Sequence, residues 1–328
     1  MIMINTKRIF TALLLAIIAV TGYAYDFQVD GIYYCYDVYG NAVVTHGDKK
    51  YTGKIKIPSE VKWNGKKKKV VEIGDYAFDC CYELKSVSIP SSVYYIGRFA
   101  FDNCYLLEEI NIPNGVEAIK VSAFSCCDKL ENISLPVSVK QIEEHAFVGS
   151  GLKTIKLFGE VTSIEEYAFQ YCCNLESIII PSSVNSIGIS AFSECKALKD
   201  IYCQAVNVPE THSSAFDNSP IEKMTLYVPG ESMNAYKTTA PWSGFGKFQT
   251  LTTGIEKTET AAKPMITTAD GQIAVSGLSG NAIIQVLSLD GKLLDSTNAT
   301  DGIATLNAQP GEVVIVKVGT ESYKVVVR

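Results

Sequence analysis

Ten cysteines, three histidines and several adjacent carboxylates carry most of the reactive chemistry in this 328-residue chain. Cys81, Cys104, Cys127, Cys172 and Cys195 each lie three residues after a phenylalanine, and Cys80, Cys126 and Cys173 sit directly beside three of them. Zinc needs two spaced cysteine pairs that close a tetrahedron, and side-by-side doublets do not offer that geometry. Two readings of the column stay open. The thiols are reduced and buried, behaving as small hydrophobes, or they bridge stacked coils, whose Cα atoms at about 5 Å would lie within disulfide reach. His46, His145 and His212 have no partner at metal-ligand spacing. The pairs Glu143-Glu144 and Glu165-Glu166 could serve as acid and base, but they fall on a variable turn where charge is normally just solvated. No nucleophile elbow, phosphate loop or dinucleotide fingerprint is present in the sequence. The expectation is therefore a chain with no catalytic residues, no metal and no cofactor.

The regular cysteine interval belongs to a larger pattern. An Ala-Phe pair occurs at Ala77, Ala100, Ala123, Ala146, Ala168, Ala191 and Ala215, at spacings of 23, 23, 23, 22, 23 and 24 residues. One unit reads V-x-x-I-x-x-x-A-F-x-x-C-x-x-L-x-x-I-x-I-P, as in residues 93–113. A fixed period in this range marks a leucine-rich solenoid. Within each unit the I-x-I step alternates apolar and polar residues, the sign of a half-buried strand. Pro90, Pro113, Pro136 and Pro181 stop those strands, because proline cannot donate a ladder hydrogen bond. A lone coil cannot bury its Val, Ile, Phe and Leu positions, whereas stacked coils bury them in one continuous core. At roughly 1.5–3 kcal/mol for each fully buried large side chain, that burial dominates the energetics. The strands are expected to form one long parallel sheet whose intervening side chains line a concave face.

This unit resembles the BspA-type leucine-rich repeat of bacterial surface proteins, and the resemblance covers residues 70–251. It implies a secreted or cell-surface protein associated with adhesion to host proteins or other cells.

The expected fold class is thus a β-rich solenoid: a leucine-rich repeat of about seven 22–24-residue coils with an N-terminal β cap and a C-terminal immunoglobulin-like β-sandwich. Residues 1–24 combine Lys7-Arg8, an apolar run and the small residues Gly22 and Ala24, which reads as a secretory signal peptide. The run of about 12 apolar residues is short for a span of hydrocarbon, so no transmembrane segment is expected in the mature chain. Residues 25–70 break the period and read as the β cap, with a hairpin turn at Asn64-Gly65. Lysines 66 to 69 read as a solvated hairpin arm. The solenoid and its terminal cap occupy residues 71–251, with Tyr236 and Trp242 covering the last coil. Residues 252–263 are polar and aperiodic, a linker. Residues 264–328 alternate like the strands of a small sandwich, and they resemble the C-terminal sorting tails of Bacteroidetes proteins; an accessory β module that only adds reach is the other reading.

A net charge of −6 argues against nucleic acid as a partner. The candidate site is the concave face, where outward strand positions give Glu109, Asn111, Asn132, Thr154, Lys156, Ile179, Asp200, Tyr202 and Lys223. Tyr202 and Ile179 are the anchors expected of a binding hot spot. The tyrosine edge of Tyr82, Tyr94, Tyr95, Tyr105 and Tyr171 is a rival surface. The expected function is an exported, monomeric, non-enzymatic module that binds a protein or glycan. The alternative is a structural spacer whose C-terminal domain directs surface localisation.

Overall fold

The computed structural model describes residues 25–251, 264–269, 272–278, 282–288, 293–300, 302–309, 313–318 and 321–326. The expected export segment and linker lie outside the described residues. Contacts divide the chain into two compact units, Met1–Leu251 and Thr252–Arg328.

In the first unit the coils contribute two strands apiece, except that the coil of residues 116–138 has none at its I-x-I step, so the strands build two parallel ladders in place of the single sheet expected. The V-x-x-I stretch ends in an outward-inward pair just long enough for a two-residue strand, and these form the first ladder: Ala118–Ile119, Gln141–Ile142, Ser163–Ile164, Ser186–Ile187 and Glu210–Thr211. The I-x-I step forms the second ladder, with Thr154–Lys156, Ser177–Ile180, Asp200–Cys203, Thr225–Val228 and Lys247–Thr250 side by side. Inward residues are almost wholly buried in both, as with Ile142, Ile155, Ile178 and Ile201.

Both ladders also reach further back than the Ala-Phe count implies. Ala42–Thr45 pairs in parallel with Lys66–Ile73, and Gly53–Lys56 pairs in parallel with Leu84–Ser88. Tyr51 takes the phenylalanine position between them, its ring 4.5 Å from that of Phe78. Residues 42–57 are therefore an eighth, degenerate turn inside the region expected to be only a cap. The strands outside it are Phe27–Val29 with Ile32–Tyr36, and the arm Glu60–Trp63, which folds back through Asn64 and Gly65 at φ 47° and 75°. On that arm Lys66, Lys67 and Lys69 are exposed, and Lys67 pairs with Glu60 at 2.7 Å.

The third side of each coil is an arc centred on Ala-Phe. Phe78, Phe101, Phe124, Phe147, Phe169, Phe192 and Phe216 stack in one file, with ring centres 4.9–5.6 Å apart and planes within 11° of parallel. The backbone makes this tight arc by taking a left-handed conformation twice per coil. The first such position holds Tyr76, Phe99, Ser122, His145, Tyr167 and Ser190; the second holds Cys80, Asn103, Cys126, Gly149, Tyr171, Glu194 and Asn218. No β-branched residue occupies either column, as the steric cost of a positive φ demands. Three backbone bonds then tie successive arcs together, for example from the N–H groups of Phe99, Phe101 and Asn103 to the carbonyls of Val121, Ala123 and Ser125, each 2.9 Å.

One junction differs. The first ladder breaks between Tyr95–Ile96 and Ala118–Ile119, and the second breaks after Glu109–Ile110. The arc bonds just described cross this same junction intact, so it is closed on the arc side and parted on both strand sides. Ser92, Ser138 and Ser183 each donate a hydroxyl to a valine carbonyl of the preceding coil at 2.6–2.7 Å, and Gly115 stands at the equivalent position of the parted junction.

The solenoid ends on a short α-helix, Met233–Thr238, and a turn at Trp242–Gly244. Trp242 and Phe245 pack edge-on against Phe216 at 5.3 and 5.2 Å. Tyr236 is fully buried and donates to the Ala205 carbonyl at 2.8 Å, while the Trp242 indole N–H donates to Thr211 Oγ1 at 3.0 Å.

The second unit is a β-sandwich of two antiparallel sheets. Met265–Ala269, Gln272–Ser276 and Ile303–Asn307 form one; Leu293–Asn298, Ile283–Leu287, Val313–Val318 and Glu321–Val326 form the other. Alternate residues such as Ile273, Val275, Ile284, Val286, Leu306 and Val316 meet in one core, the pattern of two sheets packed face to face.

Candidate functional site

Strand register turns the outward face of the second ladder into two columns. Thr154, Ser177, Asp200, Thr225 and Lys247 align in the first; Lys156, Ile179, Tyr202, Tyr227 and Gln249 align in the second. The rings of Tyr202 and Tyr227 stack with centres 4.4 Å apart and planes 13° from parallel. Partial burial, the neighbouring Asp200 carboxylate and Tyr227 push the Tyr202 phenol up to about 12. Burial pushes the Lys156 ammonium down, and that ammonium lies 5.1 Å from the ring centre of Phe158. Cross-coil ion pairs border the columns, with Lys153–Glu131 at 2.7 Å and Lys199–Glu176 at 2.9 Å. An apolar, aromatic centre with a charged rim is the anatomy of a protein-binding patch.

Of the nine residues expected here, this sheet brings together Thr154, Lys156, Ile179, Asp200 and Tyr202. The other four lie elsewhere. Glu109 belongs to a separate three-strand segment with Gly53–Lys56 and Leu84–Ser88. Asn111 is spent on structure: its side-chain amide accepts from the Ile89 N–H and donates to the Ile89 carbonyl, both at 2.8 Å, extending the ladder where the backbone cannot. Asn132 is exposed but lies outside any strand. Lys223 sits in a 3-10 turn, Ile221–Lys223, because the last coil carries extra residues before its strand. Its place in register falls to Thr225 and Tyr227. Sequence reasoning missed Tyr227 as a site residue by reading it as cap; the alternation Thr225, Leu226, Tyr227, Val228 carries the signal.

The rival tyrosine edge is partly consumed in packing, since Tyr82 stacks on Tyr105 at 5.2 Å and Tyr94 donates its hydroxyl to Glu72 Oε1 at 3.1 Å. All ten cysteines are free thiols. Those of the repeat column point inward, and Cys104, Cys127, Cys172 and Cys195 each donate to the phenylalanine carbonyl of the coil before at 3.1–3.2 Å. Ser219 makes the same bond at 2.6 Å. Burial pushes the thiols up, Cys81 to about 11 and Cys172 to about 12. They are thus held as neutral donors, the opposite of an activated nucleophile. Glu143 accepts from Lys120 Nζ at 2.6 Å and from the Val121 N–H at 3.1 Å, and the His145 ring lies 3.2 Å from Glu144 and stacks on Tyr167. Among the described residues no cluster of three metal-ligating side chains occurs, and no helix is long and apolar enough to cross a membrane.

No curated protein matches the chain. Among solved structures, a leucine-rich repeat protein from Bacteroides ovatus ATCC 8483 is 26% identical, with a TM-score of 0.45 over 69% of this chain and 77% of that one. The leucine-rich repeat protein of T. pallidum is 25% identical, with a TM-score of 0.49 over 66% and 92% of the two chains. A leucine rich cell surface protein from Faecalibacterium prausnitzii A2-165 is 21% identical, with a TM-score of 0.27 over 68% and 94%. The model of the BspA type leucine rich repeat region matches in six copies across residues 54–173 and 162–238, more than half of the chain. That span contains the phenylalanine file, the cysteine column and most of both ladders, and by it the chain belongs to the BspA-type leucine-rich repeat family.

Proposed function

We propose that the chain is an exported, non-enzymatic binding module that adheres to a protein or glycan through the outward face of the second ladder. The observation that carries this reading is the Tyr202–Tyr227 stack, a half-exposed aromatic pair on the outward face of the second ladder. Tyrosines at the centre of a rigid patch are what binding hot spots use. The adhesive behaviour attached to BspA-type proteins agrees with it, as does an export segment at residues 1–24. The sandwich of residues 264–328 supplies surface attachment in this reading.

The test is binding of the purified chain to an array of matrix proteins, plasma proteins and glycans. A saturable partner is expected, and Tyr202→Ala with Tyr227→Ala should weaken it by about 2 kcal/mol or more, roughly 30-fold. A folded protein that binds nothing, while removal of residues 264–328 abolishes surface retention, would establish the spacer role instead.

A further inference from the structure

A groove of about 940 Å³ runs along the face of the first ladder from the parted junction to Ser183, well away in sequence from the Tyr202 patch, and its lining includes Tyr95, Ala118, Lys120, Gln141 and Thr162. We infer that this groove is a second binding site, one that takes a neutral sugar ring of a glycan against Tyr95.

Three observations converge. The first is shape. The outward column of the first ladder runs Glu72, Tyr95, Ala118 and Gln141. Ala118 offers only a methyl group between two long side chains, so one face of the Tyr95 ring borders a pit about two strand spacings, or about 10 Å, across. Tyr202 is different, because Tyr227 covers its face. Among the described residues no second ring stacks on Tyr95, and a tyrosine face free of other rings is what the C–H groups of a sugar stack on.

Charge comes second. Lys120 pairs with Glu143, just outside the lining, at 2.6 Å, Lys140 pairs with Glu117 at 3.3 Å, and Glu160 adds a further carboxylate, so each cation of the groove has a carboxylate partner. The Lys120 ammonium lies over the Tyr95 ring at 5.9 Å from its centre and is tied back by the Glu143 carboxylate. A groove balanced in this way favours an uncharged ligand over an anion.

Unsatisfied backbone is the third. At later coils the first ladder is stitched by bonds such as Lys140 N–H to Glu117 carbonyl at 2.8 Å and Glu143 N–H to Ile119 carbonyl at 2.9 Å. The equivalent bonds from Glu117 and Lys120 back to Tyr94 and Ile96 are missing at the junction. Donors and acceptors therefore stand side by side, and a hydroxyl can serve both. An added peptide strand would gain little, because the strands flanking the gap are two residues long and Ile96 and Ile119 close the core beneath it.

The experiment is calorimetric titration of the full chain with cello-, malto-, xylo- and manno-hexaose. At least one should bind, with affinity changing less than about twofold as salt rises from about 50 to about 500 mM. Tyr95→Ala should weaken it about tenfold or more. Ala118→Tyr, which fills the pit while extending the column, should do the same with the unfolding midpoint unchanged, and Tyr202→Ala should have no effect. Binding to none of the four sugars, binding indifferent to both groove variants, or binding only to a sulfated glucan with steep salt dependence would each overturn the inference.

Discussion

The arc side and the strand side of the same coils have been put to opposite uses. On the arc, every recurring residue is consumed by cohesion: phenylalanine on phenylalanine, thiol on carbonyl, N–H on carbonyl of the next coil. On the outward strand face the side chains vary from coil to coil and few are committed to neighbours. In a repeat protein the conserved beat of the sequence therefore describes the scaffold, and the departures from it describe where a ligand can be met.

Mutations should respect that division. Removing one ring from the file, as in Phe147→Ala, is expected to cost ~3–5 kcal/mol in denaturant unfolding, because rings on both sides lose their contacts. Closest to this comes Gly151→Ala, at about 1–3 kcal/mol. The fourth coil is a residue short, and a Cβ at Gly151 would stand 2.0 Å from the Asp128 carbonyl oxygen, a backbone clash. In the cysteine column, Cys127→Ser should be tolerated to within about 1 kcal/mol, since serine donates the same bond at position 219, whereas Cys127→Ala leaves the Phe101 carbonyl without its thiol and should cost more. On the strand face, Tyr202→Ala should change the unfolding free energy by less than about 1 kcal/mol while removing binding. A large stability loss there, or none at Phe147, would erase the distinction between the two sides.

The thiols add a pH signature. Their folded-state values lie above the ordinary 9.0, with Cys81 at about 11 and Cys172 at about 12. An unfolded chain then releases protons first as pH rises, so stability is full below pH 9 and declines from there through about pH 11–12. Unfolding free energy measured between pH 8 and pH 11 checks this, since it should fall only above pH 9. In native protein at neutral pH, iodoacetamide should modify exposed Cys173 first and leave the buried column untouched until denaturant is added.

Much of this was legible in the residues. The Ala-Phe interval fixes the coil, Pro and the I-x-I step fix the second ladder, and Asn64-Gly65 fixes the arm. The first ladder was not visible, because two-residue strands carry no alternation to read. The eighth turn was hidden by Tyr51, which does the work of phenylalanine without its Ala-Phe signature. In the candidate site, Tyr202, Ile179, Asp200, Lys156 and Thr154 followed from simple counting. Counting failed at Lys223, where insertions shift the register, and at Asn111, whose amide reaches across to the Ile89 backbone. The parted junction leaves no reliable trace: Gly115 stands where Ser92, Ser138 and Ser183 bond the preceding coil, but Glu160 stands there too at a junction that is paired.

The arc bonds have one more implication. In every coil from Tyr76 onward the donors point toward the C-terminal neighbour: Tyr76, Phe78 and Cys80 to Arg98, Ala100 and Asp102, and so on to Phe192 and Glu194, which reach Ala215 and Asp217. Aligned peptide groups sum their dipoles, so this side of the solenoid is an electrical rod with a carbonyl pole at its first coil and an amide pole at its last. The poles are finished differently. Lys50 sets its ammonium against the Asp79 carbonyl, a cation at the negative end, and the indole of Trp242 and the ring of Phe245 close the other with apolar surface over Phe216. Without those terminations the rod's opposite poles would match, and copies of the chain could join end to end.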